Sequence, residues 1–293
     1  MRYLLLFIVA ALPVFIICWF IYVKDKNKEP TELLTKLFAS GITSCFWVVL
    51  ISTLMEVIFP FLKKDVEVMN LFESAFYAFI GVALVEECCK WFYVHKHGYK
   101  NSAFDEKYDI IVYAVFVSLG FAFFENILYV FGNNSIAVGI TRALLAVPGH
   151  ACDSIFMGYY LTLAKQAKIQ GNISLEKTNK IKSIIVPTIL HGFYDFCLFA
   201  KGDYFIIIFF IFVIFLYIFS LKKIKHLSET NSNYYQRTNS NVLNGFSQNF
   251  QNIPQNYPVQ PISYQQAQVQ HEYCTNCGAV MLGPFCGKCG KRK

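Results

Sequence analysis

The stretch Val85-Glu86-Glu87-Cys88-Cys89-Lys90 places two carboxylates and an ammonium inside an apolar run, 71–94, that is long enough to cross a bilayer. A charged side chain at the centre of a lipid-embedded helix costs roughly 2.5–3.5 kcal/mol on insertion scales. Three of them within five positions nearly cancel the favourable transfer of the surrounding Phe, Ile, Val and Leu. Local geometry offsets part of that cost. Glu86 and Lys90 are four apart and share a helix face in the favourable Glu-before-Lys order, and Glu87 lies three from Lys90. Pairing makes the charges tolerable without explaining their presence. Ionisable groups inside a membrane mark a functional site by default, and the competing reading is a structural ion pair tying helices together.

The rest of the composition agrees with a membrane setting. The chain has 293 residues, of which 55% are hydrophobic and only 15% charged, against about 25% charged in a soluble protein. Mean hydropathy is +0.42, and Phe alone supplies 30 residues. Apolar runs at 3–23, 37–62, 71–94, 108–131, 136–164, 184–200 and 204–221 predict an all-α polytopic membrane protein with about seven transmembrane helices. The first run is too long and too aromatic for a signal peptide, and no small-residue cleavage site precedes Lys24, so a retained span is expected. Pro148 marks an expected kink or break in the fifth run.

The net charge of +7 is not a nucleic-acid footprint, because most of it sits in short loops. Segments 24–36, 95–107, 165–182 and 222–225 together hold 15 Lys, whereas the opposite ends hold Arg2, Lys63, Lys64 and Lys201. The positive-inside rule then predicts an external N-terminus and a cytosolic C-terminus. From 227 to 270, 17 of 44 residues are Asn or Gln, a composition that cannot bury enough surface to fold and reads as a flexible tether. The chain closes with Cys274-Thr-Asn-Cys277-Gly and, after an eight-residue spacer, Cys286-Gly-Lys-Cys289-Gly. Two such knuckles predict a small ribbon, 271–293, with Cys274, Cys277, Cys286 and Cys289 holding one structural Zn²⁺ and offering a surface to a cytosolic protein partner.

Further polar residues interrupt the other spans. Glu125 and Asn126 break the fourth, Arg142 and His150 fall in the fifth, and His191 and Asp195 share a face of the sixth. Asp109 and Asp153 lie near expected ends or bends, where capping and solvent contact are the simpler readings. Singly, each has a bland explanation: a hydrogen-bonded His, an interhelical Asn, a snorkelling Arg. Jointly, Glu, Glu, His and a His/Asp pair on four spans are least costly if they converge on one water-filled cavity. HExxH, GxSxG and GxGD are all absent from the sequence, so carboxylates and imidazoles are left to activate water and stabilise an oxyanion.

Glu86-Glu87-x-x-Lys90, Phe121-x-x-x-Glu125-Asn126, Arg142…Pro148-Gly-His150 and His191-Gly-x-x-Asp195, in that order, resemble the PrsW family of glutamic-type intramembrane endopeptidases, with the CAAX prenyl proteases and bacteriocin-processing homologues as distant relations. The resemblance covers about 70–200 and includes Phe104-Asp105-Glu106-x-x-Asp109. It implies cleavage of membrane-anchored protein substrates, such as an anti-sigma factor, with no cofactor required for catalysis. It also implies Glu86 as the base, Glu87 and Lys90 setting its charge state, and His150 and Glu125 positioning water. His191 and Asp195 would then face the oxyanion, and Asn126 completes the motif set. The broader superfamily often has His at the position of Glu125 and Asn at that of Asp195. The domains so defined are 1–70 (two N-terminal helices), 71–200 (the catalytic core), 201–226 (the last helix and its basic flank), 227–270 (the linker) and 271–293 (the ribbon). Three alternatives stand beside this reading: a proton-coupled transporter, a non-catalytic scaffold displaying a zinc ribbon, and a metalloprotease ligated by Glu125, His150, His191 and Asp195.

Overall fold

In the computed structural model, residues 1–231 are described; the Asn/Gln-rich linker from 232 and the cysteine ribbon lie outside the described residues. The described residues form helices and their connections, without a strand. They are α1 (Arg2–Lys24), α2 (Thr31–Ile58), α3 (Leu71–Phe76), α4 (Val85–Tyr93), α5 (Asp109–Gly132), α6 (Ile136–Leu144), α7 (Ala146–Ile169), α8 (Ile173–Phe199) and α9 (Asp203–Glu229). At about 1.5 Å per residue a 20-residue helix covers the roughly 30 Å of a hydrocarbon core. Five helices are long and apolar enough to do so: α1, α2, α5, α8 and α9.

The two remaining expected spans take other forms. The run from Leu71 is one continuous helical path in which α3 and α4 are joined by a π-helical segment, Tyr77–Leu84, and followed by a second, Val94–Tyr99. π-Helical turns inside an α-helical path often lie at functional sites, and this eight-residue segment feeds directly into Glu86 and Glu87. The run after Asn134 is broken at Leu145 into α6 and α7, ahead of Pro148. Pro148 is the third residue of α7, within the first turn, where a missing N–H breaks no intrahelical bond. α8 begins at Ile173, earlier than hydropathy suggested, because its first turns carry Glu176, Lys177 and Lys180 beyond the apolar stretch.

α5 is the central element, packed against α1, α2 and α7, and Ile110 to Val115 along it are all buried. By contrast α1, α2 and α9 present Phe7, Phe15, Trp19, Trp47, Leu54, Ile207, Phe210 and Ile214 outward. Apolar exposure on this scale suits lipid, where satisfied helical backbones and apolar outer faces are required. Where α2 crosses α5, a Cβ on Gly41 would fall on the Val117 carbonyl oxygen, and one on Gly120 on the Phe38 carbonyl oxygen. Small residues at such crossings let the backbones meet. Gly41→Ala and Gly120→Ala are each expected to destabilise the fold by about 1–3 kcal/mol through overpacking, read as a lower Tm in detergent. Gly132→Ala, where an added Cβ meets nothing within 4 Å, should leave Tm unchanged.

Candidate active site

α4, α5, α7 and α8 bring their polar residues to one place. Glu86, Glu87 and Lys90 come from α4, Glu125 and Asn126 from α5, His150 from α7, and His191 with Asp195 from α8. The Lys90 ammonium is 1% exposed and sits at the centre. It donates to Glu86 Oε2 (3.1 Å), Glu87 Oε1 (2.8 Å) and His150 Nδ1 (3.2 Å). Phe121 closes the remaining side, its ring centroid 4.3 Å from Nζ.

Those contacts fix a tautomer. An ammonium only donates, so His150 Nδ1 accepts from Lys90, and the ring proton lies on Nε2. That Nε2–H donates to Glu125 Oε2 at 2.9 Å. Glu125 Oε2 also accepts from Arg142 Nη2, and Arg142 Nε donates to Asn126 Oδ1 at 2.7 Å. Asn126 in turn donates to the Ala10 carbonyl of α1. Its role is therefore to hold Arg142 in place, the interhelical bond that its residue type suggested. Arg142 lines the cavity, its guanidinium carbon 4.1 Å from the Tyr129 ring centroid.

His191 links the second half. Nδ1 is 3.0 Å from Glu87 Oε1, while Nε2 is 3.4 Å from Asp195 Oδ2 and 4.0 Å from Glu86 Oε2. The His150 and His191 rings meet edge to face with centroids 5.3 Å apart. Adjacent helix positions diverge by about 100°, which predicts that Glu86 and Glu87 face different points. Their side chains nevertheless reach the same ammonium and the same imidazole. They differ in access, since Glu86 lines a cavity of about 330 Å³ that Glu87 does not. Glu125, His150, His191 and Asp195 share that cavity with Tyr77 and Tyr194.

One residue was missed by sequence reasoning. Asp153, expected at a solvated bend, is 3% exposed, lines the cavity and has an Oδ1 without a hydrogen-bond partner. The signal was its i,i+3 spacing from His150, which puts both on one face of α7. Asp109 is likewise buried rather than solvated, its Oδ2 accepting from the amides of Asp105 and Glu106.

One donor atom from each of Glu86, Glu87, His150 and His191 lies within 4.8 Å of the others, a possible metal-binding group. Two carboxylates and two imidazoles fit Zn²⁺ chemically. Glu125 and Asp195, expected beside the histidines in a metal-ligating set, fall outside it. Lys90 is within 3.2 Å of three of the four residues in that group, so an ammonium stands where an ion would make its bonds.

The helical bundle gathers buried carboxylates and histidines at one cavity, a set of groups suited to activating water. Residues 29–221 match the model of the PrsW family intramembrane metalloproteases, and the chain belongs to that family. It is 32% identical over 228 residues to "Protease PrsW" of Clostridioides difficile (strain 630), covering 75% of this chain and 90% of that protein. The protein of the same name from Bacillus subtilis (strain 168) is 34% identical over 213 residues, covering 72% and 90%. That of Oceanobacillus iheyensis is 36% identical over 212 residues, with the same coverage. No solved structure matches. A membrane protease is thereby supported, and neither a transporter nor a scaffold is favoured.

Replacing Lys90 by Met leaves two buried carboxylates without their cation, and breaking such a cluster costs about 3–5 kcal/mol. Lys90→Met should therefore lower Tm sharply, and Lys90→Met/Glu87→Gln should recover part of the loss, since removing both partners is less costly than removing one.

Proposed function

We propose that the protein is an intramembrane endopeptidase that hydrolyses membrane-anchored protein substrates with water activated by Glu86. The observation that carries this reading is that Glu86 faces the cavity while its Oε2 is held 3.1 Å from the Lys90 ammonium. Glu86 takes a proton from water as the oxygen attacks the scissile carbonyl carbon. Glu125, held at Oε2 by His150 Nε2–H and Arg142, keeps its other carboxylate oxygen to orient that water. A proton on His191 Nε2, held between Asp195 and Glu86, is placed to donate to the developing oxyanion. The C–N bond then breaks, and Glu86 passes its proton to the leaving amine.

The substrate class follows the family resemblance: a single-span regulator such as an anti-sigma factor, cut in regulated proteolysis. The Lys distribution supports an N-terminus outside and a C-terminus in the cytosol. There Cys274, Cys277, Cys286 and Cys289 would hold a structural Zn²⁺ and recruit a cytosolic partner.

A second reading rests on the convergence of four donors. A metal would be held by Glu86, Glu87, His150 and His191, and would supply Lewis-acid polarisation of the water and the carbonyl.

Glu86→Gln preserves size and removes the base. It should insert and accumulate normally yet lose about 10²–10⁴-fold in cleavage of a purified single-span substrate. Asp153→Asn should reduce turnover less. Turnover that survives a chelator supports the glutamate reading; turnover abolished by chelator and restored by Zn²⁺ supports the metal. Cysteine labelling should place position 225 on the cytosolic side, and an external position would reverse the topology.

A further inference from the structure

The break between α6 and α7 leaves a backbone acceptor without its usual donor. In a continuous helix the amide of residue 148 would bond the carbonyl of Leu144, four residues back. Residue 148 is a proline and has no N–H. The positions on either side keep their bonds: the Leu145 amide donates to the Thr141 carbonyl and the Gly149 amide to the Leu145 carbonyl, each at 3.0 Å. Leu144 is 65% exposed, and lipid offers no donor in place of water. Where proline frees a carbonyl in a membrane helix, a neighbouring helix commonly supplies the partner.

Here that partner comes from α9. The Tyr217 hydroxyl donates to the Leu144 carbonyl at 2.8 Å and lies 3.3 Å from that of Leu145. Its ring packs beside Leu145, Phe193 and Tyr194 around Cys197, Phe209 and Val213, so the break rests on the contact between α8 and α9. α9 itself lends no side chain to the lining of the catalytic cavity.

The break carries functional groups on both sides. Two residues before Leu144, Arg142 reaches Glu125 Oε2 and Asn126 Oδ1. Two residues after Pro148, His150 reaches the same Glu125 oxygen and Lys90. The guanidinium and the imidazole therefore meet on one carboxylate from opposite arms of a bent path, and the geometry of the bend sets where each of them stands.

We propose that Tyr217 is a positioning residue for the hydrolysis: its hydroxyl takes the place of the amide that Pro148 lacks, fixes the α6–α7 joint, and through it holds Arg142 against Glu125. The kinetic consequence rests on the peptidase reading above; the structural consequence at Arg142 does not. The competing arrangement is a tyrosine that only fastens α9 to α6, with no effect on Arg142.

The test uses the full chain in lipid nanodiscs. Tyr217→Phe removes one oxygen and keeps the ring, so it should insert and lose only about 2–4 °C in Tm. Cleavage of a single-span reporter, a Leu-rich helix with a fluorophore on each flank, should fall about 10–100-fold in kcat with KM unchanged, because placement is lost and substrate contacts are kept. Arg142→Gln should lose at least as much, and Tyr217→Phe/Arg142→Gln no more than Arg142→Gln alone, since both act through one guanidinium. Tyr204→Phe, at an exposed position of the same helix, should change nothing. Without any substrate, the ¹⁵N resonance of Arg142 Nε–H, assigned by its loss in Arg142→Gln, should shift and exchange faster with water in Tyr217→Phe. If the wild type leaves the reporter intact, the peptidase reading suffers and the Arg142 resonance alone decides the proposal. Should Tyr217→Phe fail to accumulate, Tyr217→Phe/Pro148→Ala returns an N–H to face Leu144 and should restore accumulation; its failure to do so counts against the proposal. An Arg142 resonance unchanged in Tyr217→Phe, or losses in Tyr217→Phe and Arg142→Gln that multiply, overturns it.

Discussion

An ammonium buried to 1% exposure at the junction of four helices is tolerable only where its surroundings supply the charge and hydrogen bonds that water would otherwise give. Lys90 finds all three acceptors for its three protons in Glu86, Glu87 and His150, and an aromatic face on the fourth side. The constraint propagates outward. His150, made an acceptor at Nδ1, must present Nε2–H to Glu125. Glu125 is then pinned by Arg142, Arg142 by Asn126, and Asn126 by the backbone of α1. On the other side Glu87 orients His191, and His191 meets Asp195. One cation therefore sets the rotamers of a chain of groups on α4, α5, α7 and α8, with α1 as its outer anchor.

The same arrangement bears on the family's description as metalloproteases. Two glutamates and two histidines form a chemically sound donor set for a divalent ion, and the fold gathers them without distortion among the described residues. Lys90 competes for that position. An ion held by Glu86, Glu87 and His150 requires the ammonium to leave or to lose its proton, so metal and Lys90 are alternative occupants of one charge site. Which of them neutralises the glutamates separates the two roles proposed for Glu86, base and ligand.

Much of this was legible in the chain. The helical membrane class followed from apolar runs, and the site from the cost of the charges interrupting them: Glu86, Lys90, His150 and His191 are too expensive in lipid to be incidental. Span counting was less secure where charge and length disagree. The 71–94 run holds the site's charges and folds through π segments, whereas the 136–164 run breaks as Pro148 predicts, at Leu145, since the proline ring cannot bond the carbonyl of Leu144 four residues back. Asp153 and Asp109 were misread because proximity to a helix end suggests solvent, whereas tertiary packing buries both. The convergence of Glu86 and Glu87 was hidden for a related reason. Helical phase describes where Cβ atoms point, and a glutamate is long enough to bend back toward a shared cation.

The protonation pattern of His150 tests the central claim most directly, because Lys90 demands an unprotonated Nδ1. Histidine ¹⁵N NMR of the full chain in a lipid nanodisc, with His150 assigned by comparison with His150→Ala, reads each ring nitrogen separately. The account predicts a neutral ring with an unprotonated Nδ1 and a protonated Nε2, unchanged by chelator and altered in Lys90→Met. A proton on Nδ1, or an Nδ1 resonance that moves when metal is removed, would contradict it.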